Sequence, residues 1–421
     1  MIKRSFFGLA KPRLQYNLVP GSVQELPIPE KVVLLLKDPQ NGSRGNGLKV
    51  GDSVKTGQRL VASPEGTEYV ISSVTGTISD MAPYVGTFGQ KCTAITINAS
   101  GQDDWDDTFK KESSLDAALN FFEFAPGNPS FKAFADPEKS ISTIVISGVD
   151  QDLLLTTNQS VVQNEAADIK GGIDALRKIT GLDRFIITVP ENLVQQASTT
   201  GGDVKSVGAT YPSALPQMIM KNQLGKVVFA GDSVEDEGVV FMSAEAVAAL
   251  GVAFQTGHLR VTKVVTVVGK DGKATNVRAR IGTPIKDVLQ ACNVSLSDRD
   301  RLILGGPMTG AATYSEEIPV QPNTDGIVIQ GEADSAQCTD YPCINCGECV
   351  RICPVKIPVN MLVRFLEGRF YEDARTLYDL DCCIECGLCS YVCISRIPIF
   401  QYIKLGKHEL SLIETAEAAN E

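Results

Sequence analysis

Histidine is almost missing from this 421-residue chain. There are two, His258 and His408. Neither stands in a constellation with other catalytic residue types, and both are expected at the surface. Without His there is no familiar general acid–base or triad machinery to look for. Long apolar runs are missing too. The nearest, Val239 to Phe254, is interrupted by Glu245 and Gly251, whereas a membrane helix needs roughly 18 apolar residues. Membrane attachment is therefore expected only through partners. Positive charge is in deficit: 39 Lys and Arg face 50 Asp and Glu, a net charge of −11, which argues against a nucleic-acid partner. No Gly-x-Gly-x-x-Gly follows a strand-like run, so the dinucleotide fingerprint is absent. The opening stretch, Met1 to Arg13, is basic, but its apolar run is too short for a secretory signal.

What the chain does have is cysteine, twelve in all. One run reads Cys343-Ile-Asn-Cys-Gly-Glu-Cys-Val-Arg-Ile-Cys353. The other reads Cys383-Ile-Glu-Cys-Gly-Leu-Cys-Ser-Tyr-Val-Cys393. Each is C-x2-C-x2-C-x3-C, the spacing of a bacterial-type [4Fe–4S] site, in which the fourth Cys usually ligates the other cluster. The predicted sets are Cys343, Cys346, Cys349 and Cys393 for one cluster, and Cys383, Cys386, Cys389 and Cys353 for the second. Gly347 and Gly387 suit a loop that curls tightly around the metal. Pro354 follows the first run, and Ile394 stands where a second Pro is usual. Zinc knuckles separate their paired cysteines by longer gaps, and disulfide frameworks belong to small secreted domains. Cys382 breaks the spacing that Cys383 keeps. Cys92, Cys292 and Cys338 have no partner spacing and read as ordinary thiols outside the site.

The length suggests about three domains, and the patterns suggest four modules and a tail. Residues 1–100 carry short strands around Val32–Leu36, Val50–Leu60 and Val74–Ile78, which resemble the β-sandwich of lipoyl and biotinyl carriers. The tip Ser63–Tyr69 has no Lys for covalent attachment, so a docking scaffold is expected. Residues 115–255 alternate buried strands (Ser142–Gly148, Arg184–Pro190) with helical stretches (Asn164–Leu182, Pro212–Asn222, Ser243–Leu250), an α/β domain with a parallel sheet. The loop Phe124–Phe131 has one Gly and two Pro and makes a poor phosphate cradle. Residues 258–335 read as a β-grasp module with strands at Val261–Gly269 and Val277–Pro284, a helix over Pro284–Cys292 and a turn at Gly305-Gly306-Pro307. Residues 336–410 place helices over Asn360–Glu367 and Glu372–Leu380 between the cysteine runs, which predicts an α-helical ferredoxin-type domain. Residues 411–421 read as a polar tail.

The Leu26-Pro-Ile-Pro lead-in, the Val50-Gly-Asp-Ser-Val-Lys-Thr-Gly-Gln58 hairpin, Arg280-Ile-Gly-Thr-Pro284, Leu304-Gly-Gly-Pro-Met308 and the paired cysteine runs together resemble the RnfC family, the C subunits of the Rnf ion-translocating electron transport complex. The resemblance covers nearly the whole chain. It implies a barrel-sandwich hybrid, a middle domain like the flavin subunit of respiratory complex I, a soluble-ligand-binding β-grasp (SLBB) module and a two-cluster ferredoxin domain. It also implies a peripheral position on the cytoplasmic face of the membrane. There the family carries FMN, meets NADH and passes electrons to integral membrane subunits and to the ferredoxin-like B subunit.

Several parts of the family's flavin site are altered here. Ala125–Phe131 replaces its Gly-Gly-Ala-Gly-Phe-Pro-Thr loop, Val149–Leu153 its Glu-Cys-Glu-Pro pattern (with Asp150 and Asp152 keeping charge), and Met242-Ser-Ala-Glu245 its Asn-Asn-Val-Gly run. Tyr211-Pro212 is kept. The cofactors expected are therefore two [4Fe–4S] clusters, with FMN in doubt. The function expected is electron relay within an ion-translocating oxidoreductase, with ferredoxin or a cytochrome-linked protein as donor or acceptor. The alternatives are an FMN-containing NADH:acceptor reductase subunit, a soluble carrier of the corrinoid-reductase type, or an interaction scaffold.

Overall fold

The structure is a computed structural model that describes residues 12–19, 21–37, 47–61, 68–86, 89–335, 337–339 and 341–418. Most of the Met1–Arg13 opening and of the Ser63–Tyr69 tip lies outside the described residues.

The first strand, β1 (Gln24–Glu25), does not join the sheet that follows it. It pairs in parallel with a strand some 250 residues away, described below. The sandwich itself is built from β2 (Lys31–Lys37), β3 (Ser53–Val54), β4 (Arg59–Val61), β5 (Tyr69–Ile71), β6 (Gly76–Val85) and β7 (Lys91–Ala99). Val32, Leu34 and Leu36 alternate inward along β2, the period of a half-buried strand. One sheet runs β2-β7-β6-β3 and the other is the β4-β5 hairpin. Val32, Leu34, Leu60, Val70, Ile95 and Ile97 share one core between them.

Two short helices, α1 (Leu115–Phe121) and α2 (Lys132–Ala135), lead into the middle domain. Its sheet has the order β10-β9-β8-β11, all parallel, from β8 (Thr143–Ser147), β9 (Phe185–Val189), β10 (Asp203–Ser206) and β11 (Val239–Ser243). β8 and β9 are buried at every position, because helices cover both faces. Each fully buried Ile or Val contributes about 1.5–3 kcal/mol over leaving it exposed. The predicted helix Asn164–Leu182 is α4 (Ala166–Thr180), and an unpredicted helix, α3 (Thr157–Asn164), precedes it. They part at Glu165, which leaves helical geometry (φ −130°, ψ 31°) while its carboxylate pairs with Arg260 and Arg278. α5 (Val194–Ala197) follows β9. Only α6 (Pro216–Ile219) and a wider turn at Met220–Leu224 occupy the stretch predicted helical at Pro212–Asn222. α7 (Ala244–Thr256) is capped by Ser243, whose Oγ accepts from the Ala246 N–H at 3.1 Å. It lies against α4 backbone to backbone: a Cβ on Gly172 would stand 1.9 Å from the Val247 carbonyl oxygen.

The third unit is a six-stranded mixed sheet, β1-β13-β12-β16-β14-β15, built from β12 (Thr262–Val268), β13 (Ala274–Arg280), β14 (Arg301–Leu304), β15 (Ala311–Thr313) and β16 (Gly326–Gln330). α8 (Ile285–Ala291) packs Ile285, Val288 and Leu289 onto Val265, Val277 and Ile327. A buried ion network joins this sheet to the middle domain. Lys263 on β12, fully buried, meets Glu245 of α7 at 2.5 Å and Asp325 at 2.7 Å. The Val264 N–H donates to the other Glu245 oxygen at 2.6 Å. Burial alone would lower the Lys263 pKa, but the two carboxylates more than reverse that and hold it charged.

The C-terminal region is helical: α9 (Glu348–Ile352), α10 (Val359–Glu367), α11 (Tyr371–Tyr378), α12 (Leu388–Tyr391) and α13 (Ile399–Ala418). Residues 411–418 of the predicted polar tail continue α13, a helix of 20 residues. Ile403 and Leu410 seat it on Leu362 and Leu366, and Arg375 holds its end through Glu414 at 2.6 Å. No helix among the described residues is long and apolar enough to cross a membrane.

Candidate metal centre

The two cysteine runs fold into twin loops. Left-handed residues recur at matched positions: Asn345 and Gly347 in the first (φ 55° and 76°), Glu385 and Gly387 in the second (φ 54° and 70°). Lys356 and Arg396, each three residues past its run, are left-handed as well (φ 65° and 53°). In each run the third Cys then rides on a short helix, α9 or α12. The glycine in the second loop is sterically required. A Cβ on Gly387 would stand 2.3 Å from the Met308 carbonyl oxygen.

The thiols group across the loops. Cys349 feels the charge of Cys343, Cys346 and Cys393. Cys386 feels Cys383 and Cys353, and Cys389 feels Cys383 and Cys386 first and, more weakly, Cys349 of the other set. Among the described residues no group of three or more His, Cys, Asp or Glu side chains stands at ion-holding distance. Burial, reinforced by these neighbouring thiols, pushes Cys349 and Cys386 up to about 12, and Cys389 rises well above its ordinary value for the same reason. Thiolates here therefore need a cation. The backbone N–H groups of Val350, Leu388 and Ser390 oppose the rise, and the Ile397 N–H reaches Cys393 Sγ at 3.4 Å. Soft thiol donors, apolar packing and N–H groups aimed at sulfur are the surroundings that suit an iron–sulfur cluster.

Charges near the two loops differ. Lys407 on α13 donates to the Cys383 carbonyl at 2.7 Å and pairs with Glu385 at 2.9 Å. In the first loop Glu348 is buried and paired with Arg351, where the second loop has Leu388. Cys382 is half-buried beside Cys383. Cys92 is buried, Cys292 half-buried and Cys338 exposed, and no two described cysteines form a disulfide. His258 is not a surface residue as expected. It is half-buried with its ring tilted against that of Trp105, centroids 4.6 Å apart, because α7 ends against the segment after β7, and His408 on α13 is half-buried as well.

The middle domain places its polar residues at the C-terminal end of β8, where open α/β sheets usually bind ligands. Asp150 is buried there. It accepts from the Asn158 N–H at 2.9 Å and the Gln159 N–H at 3.5 Å, so a carboxylate already occupies the N-terminus of α3. Gln159 Nε2 reaches back to the Asn17 carbonyl at 3.0 Å. The run of buried polar residues from Thr156 to Ser160 went unpredicted, since no periodicity marks it. The 125–131 loop folds against β11, and its Gly127 N–H donates to the Pro322 carbonyl at 2.7 Å. Glu245, in the altered 242–245 stretch, serves the Lys263 network.

Burial pushes the Asp150 carboxyl from 3.8 up to about 6, against the Asn158 and Gln159 donors. A raised acid makes its contribution to stability in full below pH 3.8 and loses it as pH rises through about 6. The difference amounts to about 3 kcal/mol. Wild-type protein is accordingly expected to lose stability relative to Asp150→Asn as pH rises from 3.8 to about 6, and to run parallel to it above that, in thermal melts. Parallel profiles between pH 3.8 and about 6 would contradict this.

Residues 12–102 match the RnfC barrel sandwich hybrid domain, and residues 125–259 match the NqrA second alpha/beta domain. The chain is 26% identical over 383 residues to the C subunit of the proton-translocating ferredoxin:NAD(+) oxidoreductase complex of Clostridium ljungdahlii, covering 85% of this chain and 83% of that one. It is 26% identical over 339 residues to the C subunit of the Na(+)-translocating ferredoxin:NAD(+) oxidoreductase complex of Acetobacterium woodii, covering 75% and 76%. Among solved structures, an NAD+-reducing [NiFe]-hydrogenase in the H2-reduced state aligns with a TM-score of 0.47 at 13% identity, over 70% of this chain and 63% of that one. Over most of its length the chain is similar to the C subunits of ion-translocating oxidoreductase complexes, and its N-terminal part matches the barrel sandwich hybrid domain of RnfC.

Proposed function

We propose that this chain is a peripheral electron-transfer subunit of an Rnf-type ion-translocating oxidoreductase, relaying electrons through two [4Fe–4S] clusters. Cys343, Cys346, Cys349 and Cys393 would hold one cluster, and Cys383, Cys386, Cys389 and Cys353 the other. The observation that carries this reading is the pair of twin loops whose thiols group across the runs. When bound, each cluster accepts and releases single electrons at a potential set by its surroundings. The chain's own part is to keep the sulfurs dry and to direct N–H dipoles and the Lys407 charge at them. The helical region is on this reading a ferredoxin-type domain, and the six-stranded unit an SLBB β-grasp. Ion translocation belongs to integral membrane partners, with the protein seated on the cytoplasmic face. The ferredoxin-like B subunit and a ferredoxin or cytochrome-linked protein are the expected electron partners.

A second reading, an FMN-containing reductase subunit that oxidises NADH, is favoured by one contact. The second cysteine loop docks directly on the middle domain through Tyr211. Against it stands the carboxylate already seated at the α3 N-terminus. Iron, acid-labile sulfide and flavin measured together on anaerobically purified protein separate the two. The relay reading expects about eight iron and about eight sulfide per chain, without stoichiometric flavin. One flavin per chain, reduced by NADH, would replace it with the second reading.

A further inference from the structure

The twin loops share a backbone conformation and differ in their surroundings. Beside the first, Tyr341, Ile344 and Ile394 are 71%, 54% and 42% exposed. The second is walled in: Ile384, Cys386 and Leu388 share a core with Tyr16, Val145 and Tyr211, with Met308 packed against it. Two contacts set its position. Tyr211 Oη donates to the Cys386 carbonyl at 2.6 Å, both groups buried. Gly387 sits directly on the Met308 carbonyl.

The turn carrying Met308 is anchored in its own right. Asp152 accepts from the Met308 N–H at 3.1 Å, from the Thr309 N–H at 2.7 Å and from Thr309 Oγ1 at 2.6 Å. Tyr211 is packed against Tyr16 at 5.7 Å, and the Tyr16 hydroxyl accepts from the Ala214 N–H at 3.1 Å. Two stretches that resemble the family, Tyr211-Pro212 and Gly305-Gly306-Pro307-Met308, thus converge on one cysteine loop.

We propose that Tyr211 and the Asp152-anchored turn at 306–309 are positioning residues for the second cysteine loop, and that they make its cluster electronically distinct from the first. The proposal rests on the two-cluster reading above. A hydrogen bond to the Cys386 carbonyl fixes the peptide plane between Cys386 and Gly387. It also withdraws electron density from a peptide lying against the sulfurs, and such dipoles help to set cluster potential. In the first loop the comparable polar contact is between two side chains, Asn360 Nδ2 to Asn345 Oδ1 at 2.8 Å.

The test is a redox titration of anaerobically purified full-length protein, followed by electron paramagnetic resonance. Tyr211→Phe keeps the ring and removes one hydroxyl. The expected result is unchanged iron content, with the midpoint of one of the two cluster signals moved to lower potential and the other unmoved. The unmoved signal serves as an internal control for folding. Gly387→Ala is expected to lose about half of the iron, one cluster of two, and to leave the signal that Tyr211→Phe does not move. A Tyr211→Phe protein whose signals both stay put, or both shift together, overturns the proposal. Wild-type protein with fewer than two clusters would instead overturn the relay reading, and the iron assay shows that before any variant is made.

Discussion

A Cys353→Ser chain is expected to retain about four iron of about eight, and the cluster it loses should be that of the other run. Cys353 closes the first run in sequence, yet in the structure its charge is felt by Cys383 and Cys386. It caps the end of α9, and its N–H donates to the Cys349 carbonyl at 3.2 Å. Helix α9 thus carries one cysteine at its start and delivers another at its end. The decisive comparison is spectroscopic. Crossed ligation makes the remaining signal of Cys353→Ser identical to that of Cys386→Ser and different from that of Cys346→Ser. The reverse match would mean that each run serves its own cluster.

The largest effect on stability is expected at Lys263. Its ammonium is fully buried between Glu245, 1% exposed, and Asp325, 39% exposed. Lys263→Met removes the cation and leaves the Glu245 carboxylate buried without its partner. Breaking such a pair costs about 3–5 kcal/mol, because a carboxylate in the interior has neither water nor a counter-charge. Calorimetry on the holoprotein should show a large fall in the melting temperature of the unit that contains α7 and β12. The control is Lys273→Met. Lys273 pairs with Asp271 at 3.5 Å with both side chains largely exposed, and loss of an exposed pair is worth about 0–1 kcal/mol. Equal losses in the two variants would mean that the buried network carries no special weight.

The two predictions probe different links. The serine variant tests how local loop chemistry assembles a site across two runs, and the methionine variant tests what holds the middle domain to the six-stranded sheet. Glu245 belongs to the second of these, where it carries a structural charge in the Lys263 network.

Short-range chemistry was legible in the sequence. Cysteine spacing announced the twin loops, and the intervening glycines announced their left-handed turns. Alternating or unbroken apolar runs marked β2, β8, β9 and β12. Ser243 before an alanine-rich stretch marked the start of α7. These readings rest on interactions within a few residues, which a linear pattern records. Only the tertiary structure decided the rest. β1 is two residues long and exposed, too short for any periodicity, and is held by β13. The tail became helix because α10 and α11 offered it a surface. Lys263 looked like a polar residue in a strand until Glu245 and Asp325 closed around it. The different surroundings of two near-identical cysteine loops are the clearest case. Tyr211 and Cys386 are 175 residues apart, and the hydrogen bond between them depends on contacts that no local sequence pattern encodes.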